Sequence, residues 1–382
     1  MLKKIFNFQE YDFRYYNVPA LFVVFLISFI GLTVIEVLQD PVDKLYERQI
    51  FGIVLGIVVA LILSLIDYHL ICKFYIILYL FNLGLLVATR LFGKAYYDAK
   101  RWLVLPKIGQ IQPSEFSKLL LILFWAAILA KFHKKLNKIP FLLVLCILSA
   151  LPLVLILEQP DLSTTIALGL VFVSIVFLSG LTYKIIIPLL LVAIPAILGL
   201  WWYIQQDFQV LLHPYQQKRI LALKYPDLYP DLMWQQENAA KAIRSGGLTG
   251  KFLTEGADAS NMLCANLPAI ESDFIFSAIS EAYGFIGGCV LLGLIVFFVI
   301  RAFRTAIRAK DQLGTLIAGG IGAMIAVQTV INVCVNTSLF PNTGIPLPFT
   351  SSGLSSLLGN YMMVGVLMNV SLQLKPKTKE EL

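Results

Sequence analysis

Long apolar runs separated by short polar breaks dominate the chain. Runs near 18–38, 50–66, 69–91, 116–132, 140–157, 163–180, 184–204, 274–300, 314–337 and 354–373 each approach the roughly 20 residues that carry an α-helix across about 30 Å of hydrocarbon. The pattern predicts an all-α polytopic membrane protein of about ten transmembrane helices. A large extracytoplasmic loop, 205–273, is expected between helices seven and eight, within a single transmembrane domain over 1–382. The 140–157 and 163–180 runs are short and flank Glu158-Gln159-Pro160-Asp161, which leaves room for one of them to be re-entrant. The first run is too long for a signal-peptide core, and no small-residue cleavage site follows it. It reads as a signal anchor that stays.

Composition strengthens this reading. The chain is 58% hydrophobic and 14% charged, where a soluble domain carries about 25% charged residues. Cys72, Cys146, Cys289 and Cys334 lie in apolar runs, and Cys264 lies in a polar loop. No CxxC pair occurs, and His69, His133 and His213 are scattered, so a histidine-built metal site is not expected.

Charge suggests an orientation. An even span count places both termini on one side. If that side is the cytoplasm, the inner segments carry Lys3, Lys4, Lys131, Lys134, Lys135, Lys138, Lys184, Arg301, Arg304, Arg308, Lys310, Lys375, Lys377 and Lys379. The outer 39–49 loop then carries Asp40, Asp43 and Glu47 against Lys44 and Arg48. That satisfies the positive-inside rule. Two outer segments break it: 90–118, with Arg90, Lys94, Lys100, Arg101, Lys107 and Lys118, and the long loop 205–273. Long loops translocate regardless of charge. The basic 90–118 segment fits either anionic headgroups or a pocket for a phosphate-bearing ligand.

Several polar stretches stand at membrane edges, where ionisable groups are costly and mark function. In Gln112-Pro113-Ser114-Glu115-Phe116-Ser117-Lys118, Pro113 suits a first helical position, and Glu115 and Lys118 share a face at i, i+3. They form either a salt bridge locking the helix start or a lysine aimed at phosphate. Asp161 suits an N-cap or a substrate contact. Ser245-Gly246-Gly247-Leu248-Thr249-Gly250-Lys251 fails the Walker pattern at Ser245 and Phe252, and is expected to be a flexible turn closing over a ligand. Asp273 stands where the long loop re-enters the membrane, and desolvation there suits a general base. Glu281, two turns further, is expected to face the bundle interior. Gly344-Ile345-Pro346-Leu347-Pro348-Phe349-Thr350-Ser351-Ser352-Gly353 cannot be regular helix; such backbone is tolerated when buried or lining a cavity.

Taken in order, Arg101-Trp102, the QPSEFSK stretch, Gln159-Pro160-Asp161, Tyr215-Gln216 with Arg219, the SGGLTGK stretch, Pro268 with Asp273-Phe274-Ile275-Phe276, and GIPLPFTSSG resemble the SEDS family of bacterial cell-wall polymerases. The Ile-Pro-Leu-Pro-Phe form looks more like the RodA type than the FtsW type. The resemblance implies a peptidoglycan glycosyltransferase that polymerises lipid II on the outer face of the cytoplasmic membrane and releases polyprenyl pyrophosphate. The family's essential aspartate maps onto Asp273, and its QPSE glutamate and lysine onto Glu115 and Lys118. Arg101, Lys118, Glu115, Arg219 and Lys251 would serve the lipid pyrophosphate, with Asp161, Glu281, Ser351 and Ser352 in support. A magnesium or manganese ion could assist the leaving group. The expected partners are lipid II, a polyprenyl-linked glycan and a class B penicillin-binding protein, and no nucleic acid. Ala269, Ala282, Phe252, Ser163 and Leu354 depart from the family pattern, which keeps a lipid II flippase and a non-catalytic scaffold as alternatives.

Overall fold

The computed structural model describes residues 11–38, 44–96, 99–105, 109–206, 208–212, 214–342 and 344–374. Lys3, Lys4, Asp40, Asp43, Lys107, His213, Lys375, Lys377 and Lys379 lie outside the described residues. The apolar runs form helices: α1 (Val18–Leu38), α2 (Leu45–Ser64), α3 (Tyr75–Phe92), α4 (Pro113–Lys131), α5 (Ile139–Glu158), α6 (Leu162–Leu178) and α7 (Tyr183–Ile204). The extramembrane helices α8 (Pro214–Lys224) and α9 (Pro230–Ser245) follow, then α10 (Ile275–Arg308), α11 (Gln312–Asn336) and α12 (Leu354–Leu372). Among the described residues, nine of these are long and apolar enough to cross a membrane, and α6 is a shorter apolar helix of 17 residues. The 140–157 and 163–180 runs thus each form a continuous helix, joined by the tight turn at Gln159-Pro160-Asp161.

The spans are not equivalent. In α4, α11 and α12, 83%, 78% and 83% of the membrane-crossing stretch is buried, against 22% in α3 and α5. Polar side chains on the three central helices are therefore held by protein rather than lipid. Close packing relies on small residues, as is usual where lipid removes the hydrophobic drive between helices. A Cβ at Gly365 would lie 2.6 Å from the Ala60 carbonyl oxygen, and one at Gly56 would lie 2.5 Å from the Tyr361 ring.

Residues 94–111 form three short antiparallel strands, which apolar periodicity does not predict: β1 (Lys94–Tyr96), β2 (Ala99–Leu105) and β3 (Gly109–Ile111). The register sets Leu103 opposite Ile111 and Lys94 opposite Trp102. This hairpin carries Arg101 and leads directly into α4.

The long segment between α7 and α10 is structured. α9 buries Met233, Gln236, Ala239 and Ala242 along one stripe. Gln236 donates to the carbonyls of Val335 (3.0 Å), in the last turn of α11, and Phe340 (2.7 Å), just beyond it. The glycine stretch after α9 is not a free closing turn. Gly284, at φ 68° and ψ −169°, breaks α10. The amides of Phe285 and Ile286 then donate to the carbonyls of Gly247 (2.9 Å) and Leu248 (3.1 Å). A Cβ on Gly250 would sit 2.2 Å from the Ala282 carbonyl, so only glycine permits this approach. The SGGLTGK stretch is a splint for the break, because broken-helix amides need acceptors.

Candidate functional site

A cavity of about 570 Å³ opens between the β-hairpin, the start of α4, the turn before α10 and the segment before α12. Its lining includes Arg101, Arg219, Gln235, Asp273, Ser352 and Ser356. Residues far apart in the chain converge here: Arg101 from β2, Arg219 from α8 and Asp273 just before α10.

Asp273 is fixed through its backbone. Its amide donates to the Ala269 carbonyl (3.0 Å), and its carbonyl accepts from Asn332 (2.9 Å) and Asn336 (3.0 Å) of α11. Asn336 Oδ1 also accepts from the Ser277 amide (3.1 Å) and hydroxyl (2.6 Å), so it caps the first turn of α10 from a neighbouring helix. The side chain is thereby left to face the cavity. Gly344, at φ 70°, lies against it: a Cβ there would be 3.2 Å from Asp273 Oδ2 and 3.9 Å from Arg101 Nη1. Burial pushes the Asp273 carboxyl up to about 6, while Arg101 and Arg219 pull it down and Glu271 and Asp161 push it further up.

The two guanidinium groups are pre-oriented by carbonyls. Arg101 donates through Nε to the Gln159 carbonyl (3.1 Å) and through Nη2 to the Pro160 carbonyl. Arg219 Nη1 donates to the Asn342 carbonyl (2.9 Å). Both are partly buried with a cavity-facing surface. Such fixed donors at the edge of a low-dielectric pocket favour a bound or developing anion.

Other residues singled out from the sequence stand behind the cavity wall. Lys118 is fully buried, with Nζ 2.8 Å from both Glu115 oxygens and 3.2 Å from Gln328 Oε1. Neither Lys118 nor Glu115 lines the cavity, so the pair takes the salt-bridge arrangement of the two that the sequence left open. Gln328 in turn donates to the Pro346 carbonyl (2.7 Å), linking the pair to the GIPLPF segment. Asp161 caps α6, accepting from the Thr164 amide (3.2 Å), and also accepts from Ser114 (3.2 Å) and Gln112 (3.4 Å) at the start of α4.

Glu281 is fully buried. It accepts from Lys251 (2.7 Å), Ser245 (3.0 Å) and the amides of Leu263 (2.6 Å) and Cys264 (3.0 Å). Lys251 is thus engaged in holding the long segment on α10, away from the cavity lining. Ser351 Oγ spans the Leu347 amide (2.7 Å) and the Ser272 carbonyl (2.5 Å), while Ser352 lines the cavity and its amide donates to the Glu271 carbonyl (2.7 Å).

Residues that sequence reasoning missed include Asn332, Asn336 and Gln328. Their spacing of four along an apolar helix places them on one face, and that is the signal that could have found them. Of the departures, Phe252 packs edge-on against Tyr283 at 5.3 Å, and Ala269 takes a left-handed conformation at φ 58°. Among the described residues no group of three or more His, Cys, Asp or Glu is arranged to hold a metal ion. The residues present therefore do not make a metal centre by themselves.

Fold and cavity together define a multi-pass membrane protein in which one carboxylate and two guanidinium groups line a single polar cavity. The family model described as "Cell cycle protein", FTSW_RODA_SPOVE, matches residues 13–376. The chain belongs to this family, the SEDS proteins. It is 34% identical to the probable peptidoglycan glycosyltransferase FtsW of Trichlorobacter lovleyi, over 98% of this chain and 97% of that one. It is 30% identical to the peptidoglycan glycosyltransferase MrdB of Escherichia coli K12, over 87% of each. Its fold matches a chain from the structure described as "Structural coordination of polymerization and crosslinking by a peptidoglycan synthase complex", with TM-score 0.77 and 25% identity over 93% of this chain and 97% of that one. RodA of Thermus thermophilus shares the fold with TM-score 0.66, at 23% identity over 94% of this chain and 96% of that one.

Proposed function

We propose that the cavity around Asp273 is where this peptidoglycan glycosyltransferase joins glycan units. Membership of the SEDS family and the names of relatives on both the FtsW and RodA sides give the activity class. The observation that carries the site assignment is the placing of the Asp273 carboxylate with Arg101 and Arg219 around one cavity.

The substrate proposed is lipid II, with a polyprenyl-linked glycan as the growing chain. The C4 hydroxyl of an N-acetylglucosamine attacks C1 of an N-acetylmuramic acid. Asp273 takes the hydroxyl proton as the new C–O bond forms, a role its raised pKa suits. The C1–O bond to the diphosphate breaks with inversion, and its electron pair leaves on the diphosphate. Arg101 and Arg219 stabilise that charge. Lys118 with Glu115, and Lys251 with Glu281, are positioning pairs that hold the walls. A magnesium or manganese ion, if one takes part, would be held largely by the lipid's own diphosphate oxygens.

The cavity faces the outside and both termini the cytoplasm, a reading supported by the basic segments 131–138 and 301–310 at the other membrane face. A membrane-anchored class B penicillin-binding protein is the proposed partner, supported by the likeness to a chain of a peptidoglycan synthase complex. The test is lipid II polymerisation by purified wild type and Asp273→Asn, with and without that partner. Glycan strands from wild type alone would support the reading, and normal synthesis by Asp273→Asn would remove Asp273 from the chemistry. Scrambling of labelled lipid II in liposomes without polymer would favour a flippase.

A further inference from the structure

At the far end of α10 from Asp273, about 40 Å away by helix rise, a second polar pocket of about 500 Å³ is lined by Arg14, Arg301, Arg304 and Arg308 together with Tyr15 and Asn17. None of the residues lining it is acidic. Beside it, Asp12 pairs with Arg14 at 3.0 Å. A charge that only fixes membrane orientation needs no shape. Here two of the guanidinium groups, Arg301 and Arg308, are organised. Arg301 sets both Nε (3.1 Å) and Nη2 (2.7 Å) on Oδ1 of the buried Asn17. Arg308 lies over the Tyr15 ring at 5.2 Å, and its Nη2 is buried without a hydrogen-bond partner among the described residues. The wall carrying Tyr15 and Asn17 is tied down by the Asp12 amide on the Leu372 carbonyl (2.9 Å), and the Ala309–Leu374 bridge ties the end of α10 to the segment after α12.

Clustered, pre-oriented cations with an orphaned buried donor are a poor arrangement for an empty site and a good one for an oxyanion. Guanidinium forks match phosphate oxygens in geometry and charge. We infer that this pocket binds a phosphate group, supplied either by the headgroup of an anionic phospholipid or by a soluble phosphate compound. Ile307, 81% exposed at the rim, lies where the glyceride of a lipid would continue into the bilayer.

Native mass spectrometry of the full-length chain in neutral detergent tests this. Phosphatidylglycerol, phosphatidylcholine and inorganic phosphate are added separately, and then phosphate is added against phosphatidylglycerol. The expected result is a one-to-one phosphatidylglycerol adduct at least ~10-fold more populated than that of phosphatidylcholine, since the zwitterionic headgroup cancels its own charge. Arg304→Gln/Arg308→Gln should reduce it at least ~5-fold, and Arg304→Lys/Arg308→Lys, which keeps the charge but loses the fork, by a smaller factor. Lys134→Gln/Lys135→Gln, which removes two charges elsewhere on the same face, should leave it unchanged. Displacement by millimolar inorganic phosphate would identify a soluble source; resistance to it would identify the lipid. If the glutamine variant fails to fold, the lysine variant carries the test. Equal binding of the two lipids without phosphate binding, or an adduct untouched by the arginine variants, would overturn the inference.

Discussion

Asp273→Asn should abolish activity while making the protein more stable. The carboxyl is held near 6, about two units above an ordinary aspartate. A group whose folded pKa is raised binds its proton more tightly in the native state. The stability it contributes is present below the unfolded value near 4 and is lost as pH rises through 6. Above that pH the ionised carboxylate is a net cost. Two units at about 1.4 kcal/mol each give an upper bound near 3 kcal/mol. The neighbouring Arg101 and Arg219 lose an anion in the variant, but both already have carbonyl partners, so a gain of about 1–3 kcal/mol is expected at pH 8. It should shrink towards zero as pH approaches 4.

Catalysis moves the opposite way. Loss of a general base costs about 10²–10⁴-fold. In the wild type the base must be ionised, so lipid II polymerisation should show an acid limb near pH 6 and fall about tenfold per unit below it. Rates over pH 5–8 and thermal unfolding of both proteins in one detergent supply the check. An acid limb near 4, a variant keeping more than about a tenth of wild-type rate, or a variant less stable than wild type at pH 8 would each refute the reasoning.

Four further outcomes follow from the geometry. Gly344→Ala forces a Cβ to 3.2 Å from Asp273 Oδ2 at φ 70°; strain of about 1–2 kcal/mol and a displaced carboxylate should lower kcat more than they raise KM in steady-state polymerisation. Glu281→Ala leaves Lys251 and two amides without their acceptor and should cost about 3–5 kcal/mol, read as a drop in thermal midpoint and faster proteolysis of 245–264. Lys118→Met alone strands a buried carboxylate and should cost a similar amount, whereas Glu115→Gln/Lys118→Met should recover much of it; a double-mutant cycle by thermal unfolding measures the coupling. Asn336→Ala removes the cap on α10 and a hold on the Asp273 carbonyl, and should lose about 1–2 kcal/mol together with activity, while KM for lipid II changes little.

Much of the architecture was legible because lipid permits so few solutions. A run of twenty apolar residues in a membrane has to be helix, so all ten runs appear as helices near their expected positions. The hairpin at 94–111 was illegible. Its strands are three to seven residues long, too short for alternation to register against the charged background. At the site, Asp273 and Arg101 were legible as charged groups at a membrane edge. The sequence could not separate groups that face a ligand from groups that only hold a wall. Lys118 and Lys251 carry the same charge as the cavity-lining arginines, and what removes them from the lining is a buried glutamate beside each one.

That distinction depends on α11, whose charge-free face looked inert. Gln328, Asn332 and Asn336 are all buried, and between them they take hold of the Lys118 ammonium group, the GIPLPF backbone, the Asp273 carbonyl and the first turn of α10. Amides suit this work better than charges, because each offers both a donor and an acceptor and carries no ionic desolvation penalty. A charged strut here would also shift the Asp273 pKa by proximity. With neutral struts the acid's strength stays set first by its burial, then by Arg101 and Arg219, which face the cavity, and by the nearby carboxylates Glu271 and Asp161. Asn332→Asp tests the point: a second carboxylate behind Asp273 should move the acid limb of the pH profile above 6, even though the side chain lies outside the cavity lining.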